Sequence, residues 1–195
     1  MRGSPENTPV TAKKSRADRV REIRAKGRPD LTFDRVSALL QYDPEEGIFR
    51  HKVSRGGEKA GSVAGTASNG YNLLFIDCFQ YRSGRVAWLL MTGKPVPAGR
   101  VVDHINGDRH DDRWSNLRLA TPAENSRNRK PKKGRKACGV YQAGNRWTAI
   151  IERDGVRHYL GSFSCEIAAV TARYTAARHF FGEFARVVPE ASANG

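Results

Sequence analysis

The chain of 195 residues contains no apolar run approaching the ~18 residues that a membrane helix requires, so a spanning segment is not expected. Its N-terminal stretch is basic and lacks an apolar core segment, which argues against a secretory signal. Cysteine is scarce: Cys78, Cys138 and Cys165 are scattered, and no Cys-x-x-Cys pair occurs. A structural zinc is therefore not expected. Unpaired thiols suit a reducing cytoplasm, with packing as their role. Acidic residues are outnumbered, 20 Asp and Glu against 34 Lys and Arg, for a net charge of +14. Such an excess points to a polyanionic partner, because neutralising phosphates releases counterions. Charge alone equally fits a ribosome-associated or RNA-binding basic protein. A hydrophobic share of 38% allows one ordinary domain or two small ones. No internal repeat is visible.

Residues 1–29 carry Pro5, Pro9 and Pro29 and the cluster Arg16, Arg19, Arg21, Arg24, Lys26 and Arg28. They read as a basic disordered tail, helical from Ser15 to Lys26 when it meets DNA. Thr32 caps a short helix bearing Phe33, Val36, Leu39 and Leu40, which stops before Pro44. Asp43-Pro44-Glu45-Glu46-Gly47 is a turn into the strand Ile48-Phe49-Arg50. Lys52 to Asn69 reads as a loop, and Gly70 to Ile76 as a strand that turns near Asp77 into a second one through Tyr81. Arg85 to Met91 is an apolar helical segment ended by Gly93, with Trp88 and Leu89 in the core.

Val101 to Ala120 then forms a hairpin turning near Asn106-Gly107, and Thr121-Pro122-Ala123-Glu124 is a strong helix start. Thr121 caps, Pro122 suits the first helical position, and Glu124 completes a capping box. The segment places Asp103 and His104 at a strand end, Asn116 twelve residues after His104, and Asn125 twenty-one after it. Phosphodiester hydrolysis needs an activated water and stabilised charge at the phosphate. His104 can take a proton near neutral pH, Asp103 offers an anionic metal ligand, and Asn125 offers a neutral oxygen. Alternation should point Asp103 and His104 to opposite faces, so the strand must twist for both to reach one phosphate. His110 in the loop reads as a surface residue. The plain alternative makes Asn106-Gly107 only a turn and Asn116 only a turn residue.

The stretches Val102-Asp103-His104-Ile105-Asn106-Gly107, Ser115-Asn116-Leu117-Arg118-Leu119 and Thr121-Pro122-Ala123-Glu124-Asn125 resemble the His-Asn-His (HNH) endonucleases of phages and mobile introns. Tyr42-Asp43-Pro44-Glu45-Glu46-Gly47 and Arg85-Val86-Ala87-Trp88 resemble phage members too, so the likeness covers roughly residues 31–130. The resemblance implies a ββα-metal (His-Me finger) domain over residues 30–130, its hairpin at about 100–130. It implies His104 as general base and Asp103 and Asn125 as ligands of one divalent cation, Mg²⁺ or Mn²⁺. Asn116 would brace the hairpin and orient His104. Gly84 departs from the pattern, since many relatives carry histidine there, which puts an auxiliary contact in doubt.

Arg127, Arg129, Lys130, Lys132, Lys133, Arg135 and Lys136 follow without one acidic residue, and Pro131 and Gly134 make 131–137 a linker. Beyond it, Gly139-Val140-Tyr141, Arg146 to Arg153 and Arg157 to Phe163 read as strands, with Asp154-Gly155 as a hairpin turn. Ser164 caps a helix to Phe181, closed by Gly182. The expected fold class is thus α+β: the nuclease domain, then a small three-stranded antiparallel sheet packed on one helix. Alternation puts Trp147, Ala149 and Ile151 inward, leaving Tyr141, Arg157 and Tyr159 outward. Arg146-Trp147, Leu160-Gly161-Ser162-Phe163, Ala168-Ala169 and Ala176-Ala177 resemble the Apetala-two/ERF class of DNA-binding domains over 138–189, before a disordered end at 190–195. Tyr141, Arg146, Arg157 and Tyr159 are its expected DNA contacts, together with the basic run. Ile150 and Glu152 depart from the charged residues common in plant members, so base preference does not carry over.

The leading expectation is a metal-dependent endonuclease acting on double-stranded DNA, probing it as a monomer or weak dimer in the cytoplasm of a bacterial host. Its origin would be a phage or mobile element. The alternative is a non-enzymatic DNA-binding regulator with a vestigial hairpin.

Overall fold

A computed structural model describes residues 15–68, 70–128 and 137–186. Arg129, Lys130, Lys132, Lys133, Arg135 and Lys136 of the basic run lie outside the described residues. Helix α1 spans Arg16–Ala25, and the Ser15 hydroxyl caps it by accepting from Asp18 N. Helix α2, Phe33–Leu39, is capped by Thr32 as expected. It ends earlier than Pro44 demands, because Leu40–Asp43 becomes strand β1 and pairs antiparallel with β2, Ile48–His51. The expected loop at 52–69 also hides two short strands, β3 (Val63–Ala64) and β4 (Thr66–Ser68). Two and three residues are too few for alternation to show. β3 completes one three-stranded sheet; β4 joins β5 (Tyr71–Ile76) and β6 (Phe79–Arg82) in a second.

Helix α3, Ser83–Thr92, begins two residues before the expected start and ends at Gly93 in the left-handed conformation. Its Val86, Ala87 and Leu89 meet Val36, Leu40, Phe49, Leu74 and Ile76 in the main apolar core. Strands β7 (Val101–His104) and β8 (Leu117–Ala120) pair antiparallel, and α4 (Pro122–Arg127) follows directly. Here the capping box is complete: Thr121 Oγ1 accepts from Glu124 N at 3.2 Å, and Glu124 Oε2 from Thr121 N at 2.7 Å. That bond holds the Glu124 carboxyl below its usual range.

The C-terminal sheet orders β11 (Val156–Phe163), β10 (Arg146–Arg153) and β9 (Val140–Ala143), with α5 (Glu166–Phe181) packed against it. Ala149 and Ile151 are buried and Trp147 half-buried, as alternation implies. A bulge between Ala149 and Ile150 shifts the register. Gly161 sits there at φ 131°, and any Cβ would press on the Phe163 ring. Two expectations need correcting. Cys165 rather than Ser164 occupies the cap of α5, without a side-chain bond, and it is exposed instead of packed. None of the three cysteines is in a disulfide. No helix among the described residues is long and apolar enough to cross a membrane.

Candidate functional site

The hairpin β7–β8 brings Asp103 and His104 into the protein's interior. Asp103 and His104 are 5% and 7% exposed, although their residue types favour the surface. Buried polar groups need partners, and each has its own. Alternation is kept: the two side chains engage different sets of residues. Asp103 Oδ2 accepts from Arg118 Nε at 3.0 Å and Nη2 at 2.8 Å, a cross-strand pair fixed by the register that sets Asp103 opposite Arg118. His104 Nε2 lies 3.0 Å from Asp112 Oδ1.

Asp112 is 1% exposed and is held on every side. Its Oδ2 accepts from Asn72 Nδ2 at 3.0 Å and contacts Ser83 Oγ, which also reaches the Asn72 carbonyl at 3.0 Å. The Tyr42 hydroxyl donates to its carbonyl oxygen at 2.6 Å. Burial, and then the nearby Asp112, Asp43 and Asp111 carboxylates, push the Tyr42 phenol well above its ordinary range. The turn 43–47 explains why the sequence carries Gly47. It adopts φ 72°, and a Cβ would lie 2.5 Å from Arg113 N and 2.6 Å from the Asp112 carbonyl carbon. Trp114 N donates to the Pro44 carbonyl at 2.9 Å across the same junction. Gly84 also faces the pair, since a Cβ there would lie 3.7 Å from His104 Cε1. The position that departs from the family pattern is thus beside the imidazole.

Asn116 braces the loop. Its Nδ2 donates to Asn106 Oδ1 at 3.1 Å and to the Asp111 carbonyl at 2.7 Å, and its Oδ1 accepts from Asn106 N at 3.0 Å. Asn125 sits exposed on α4, whereas Asn128, one turn on, is buried. The Asn128 Nδ2 group donates to the His104 carbonyl at 2.7 Å and approaches Asp103 Oδ1 and Oδ2 at 3.4 and 3.3 Å. Its Oδ1 is buried without a hydrogen-bond partner. His110 is exposed as expected, yet its Nδ1 lies 2.8 Å from Asn72 Oδ1.

Sequence reasoning missed Asp112, Ser83, Asn72, Arg118 and Asn128. Asn128 was accessible through helical spacing from Asn125, and Arg118 through hairpin register. Asp112, Ser83 and Asn72 meet across separations of 29 and 40 residues, for which no local pattern exists.

The donor set can be tested against a divalent cation. No group of three or more His, Cys, Asp or Glu side chains among the described residues could hold one. Hard dications also accept one carboxylate when carboxamide, phosphate and water oxygens complete the shell. Asp103 Oδ1, which Arg118 does not engage, and the unpartnered Asn128 Oδ1 supply such oxygens.

The other expected contacts are spread out. Arg127 is half-buried, its guanidinium 4.8 Å from the Phe181 ring centre and 3.8 Å from Asp154 Oδ1. Arg146 is exposed and bonds Ser162 Oγ at 2.9 Å and its carbonyl at 2.7 Å. Tyr141, Arg157 and Tyr159 are exposed on the C-terminal sheet. Arg118 links the two regions, since its Nη1 donates to the Glu183 carbonyl and its guanidinium stacks 4.5 Å from the Phe184 ring centre.

The sequence profile of the HNH endonucleases matches residues 83–127, which include Ser83, Asp103, His104, Asp112, Asn116 and Asn125. An uncharacterized HNH endonuclease of Acanthamoeba polyphaga mimivirus is 35% identical over 97 residues, 50% of this chain and 51% of that protein. The chain therefore spans about half the length of that relative. Protein 3.8 of Escherichia phage T7 is 34% identical over 96 residues, 47% of this chain and 78% of that protein. No solved structure matches. With this profile laid over the buried Asp103-His104 pair and its bracing asparagine, the chain belongs to the HNH endonuclease family.

Proposed function

We propose that the chain is a metal-dependent endonuclease that hydrolyses phosphodiesters in double-stranded DNA, nicking one strand per visit. The observation that carries this reading is His104, buried at the end of β7 beside Asp103 and fixed by a carboxylate on one ring nitrogen. With Nε2 occupied, Nδ1 is the nitrogen left to take a proton from water as the oxygen bonds to phosphorus. The bond to the 3′-oxygen breaks in the same displacement, leaving a 5′-phosphate and a 3′-hydroxyl. The proton on Nδ1 returns to solvent, and the 3′-oxygen takes one up.

We read β7, β8 and α4 as the ββα-metal arrangement, in which Asp103 and Asn125 would hold Mg²⁺ or Mn²⁺ and the buried Asn128 Oδ1 would offer a further oxygen. When bound, the cation supplies Lewis-acid stabilisation of the phosphate and the leaving oxygen. Arg118 keeps the Asp103 carboxylate in one orientation, and Asn116 keeps the loop closed beneath His104. The C-terminal sheet would then act as an Apetala-two/ERF-type reader. Its exposed Tyr141, Arg157 and Tyr159 support a face laid in the major groove, where arginine reads guanine edges. Arg127, Arg146, Arg129, Lys130, Lys132, Lys133, Arg135 and Lys136 would track phosphates between cutter and reader. The setting is the cytoplasm of a bacterial host, for a phage or mobile-element protein working as a monomer or weak dimer on DNA.

One observation favours a second reading, a DNA-binding regulator: Asp103 is already neutralised by Arg118. A plasmid-nicking assay with Mg²⁺ separates the two. Wild type should nick and EDTA should stop it, while His104→Ala should lose about 10²–10⁴-fold in rate and still shift DNA on a gel. Binding without nicking in both proteins leaves the regulator.

A further inference from the structure

We infer that Asp112 is a positioning residue for His104, holding the imidazole by Nε2 so that Nδ1 faces the reacting water. The inference rests on the nuclease reading above but stands on separate geometry. A carboxylate accepts hydrogen bonds and cannot donate them, so the 3.0 Å contact to Asp112 Oδ1 fixes the ring proton on Nε2. Nδ1 then carries the lone pair. A base whose partner is a buried carboxylate is held in one tautomer and one orientation, and the imidazolium formed on proton transfer is stabilised.

The surroundings show that Asp112 is built into place. An acid 1% exposed is retained only with its acceptor sites satisfied. Here Asn72 and Ser83 meet Oδ2, His104 meets Oδ1, and Tyr42 meets the backbone carbonyl. These four groups come from β5, the start of α3, β7 and β1. The turn 43–47 closes over the Asp112–Arg113 backbone through Gly47 and Pro44. Much of the N-terminal region therefore converges on one residue, whose carboxylate has no hydrogen bond to an expected metal ligand and meets the imidazole at Nε2. Asn72 further ties the exposed His110 to this network. A loop acid serving only to close the hairpin would need neither the strand nor the helix.

Asp112→Asn keeps an acceptor oxygen for Nε2–H, whereas Asp112→Ala removes it. Full-length wild type and both variants should be compared for melting temperature, DNA affinity and single-turnover nicking with Mg²⁺. The expected result is unchanged affinity, a rate about 10–100-fold lower for Ala, and partial rescue by Asn. Imidazole ¹⁵N chemical shifts, read without any turnover, should place the His104 proton on Nε2 in wild type and on a mixture of nitrogens in Asp112→Ala. A folded Asp112→Ala protein nicking at the wild-type rate overturns the proposal, and so does a wild-type His104 protonated on Nδ1. A wild type with the Nε2 proton that nicks nothing overturns the nuclease reading and leaves the positioning contact standing.

Discussion

Around the hairpin the chain buries Ser83, Asp103, His104, Asp112, Asn116 and Asn128, whereas the described C-terminal region buries Thr148 and otherwise apolar side chains, most of them alanine. The N-terminal region builds its apolar core from large residues, among them Val36, Phe49, Leu74, Ile76 and Leu117. The C-terminal region uses Ala149, Ala169 and Ala177 to let α5 lie close to the sheet. The residues proposed to meet DNA, Tyr141, Arg157 and Tyr159, stay outside. One region holds polar groups in fixed orientations by burial; the other presents them on a thin platform. A reacting group needs the first arrangement, and a surface for a long polyanion needs the second.

The comparison breaks most readily at Ile151, the one large residue fully buried in the C-terminal core among the described residues. Ile151→Ala should cost about 2–5 kcal/mol in the stability of that region, measured by denaturant melts. Nicking of non-specific DNA should persist if the two regions are as independent as their cores suggest. Collapse of nicking would instead assign weight to the Arg118–Glu183 and Arg118–Phe184 contacts.

A smaller change tests the platform. Arg157→Ala should weaken binding to a selected site by about 1–3 kcal/mol and leave melting unaltered, read by competition binding against random duplexes. Equal loss on every sequence would make Arg157 a phosphate contact.

The smallest effect concerns the exposed ion pair between Arg35 and Asp77 at 2.6 Å. The Arg35 hydrogen bonds hold the Asp77 carboxyl below its usual range. Its contribution is therefore present above the ordinary aspartate range and disappears as pH falls through the lowered folded value. Wild type and Asp77→Asn should differ by under about 1 kcal/mol near neutrality and converge in acid. A difference that persists in acid would point to the positive-φ turn at Asp77 and Cys78 instead of charge.

Much of the frame was legible before folding. Thr32, Thr121 with Glu124, Gly93 and Gly182 mark helix ends through local hydrogen bonds and backbone freedom, and the structure keeps them. The three strands and helix at the C-terminus followed from alternation. Strands β3 and β4 did not, because two- and three-residue strands carry no period. At the site, His104, Asp103 and Asn116 stood out by spacing within one hairpin. Asp112 did not, because its partners come from β5, β7 and α3.

The sequence by itself determined the excess of positive charge, the hairpin with its helix cap, and which residue types could do chemistry there. Those properties are local or additive, so they survive without knowledge of the fold. Tertiary structure decided that Asn128 would turn inward while Asn125 stayed outside. It also set an acid behind His104. Orientation inside a core depends on which distant segments share the space, and that is fixed only when the strands and α3 pack together.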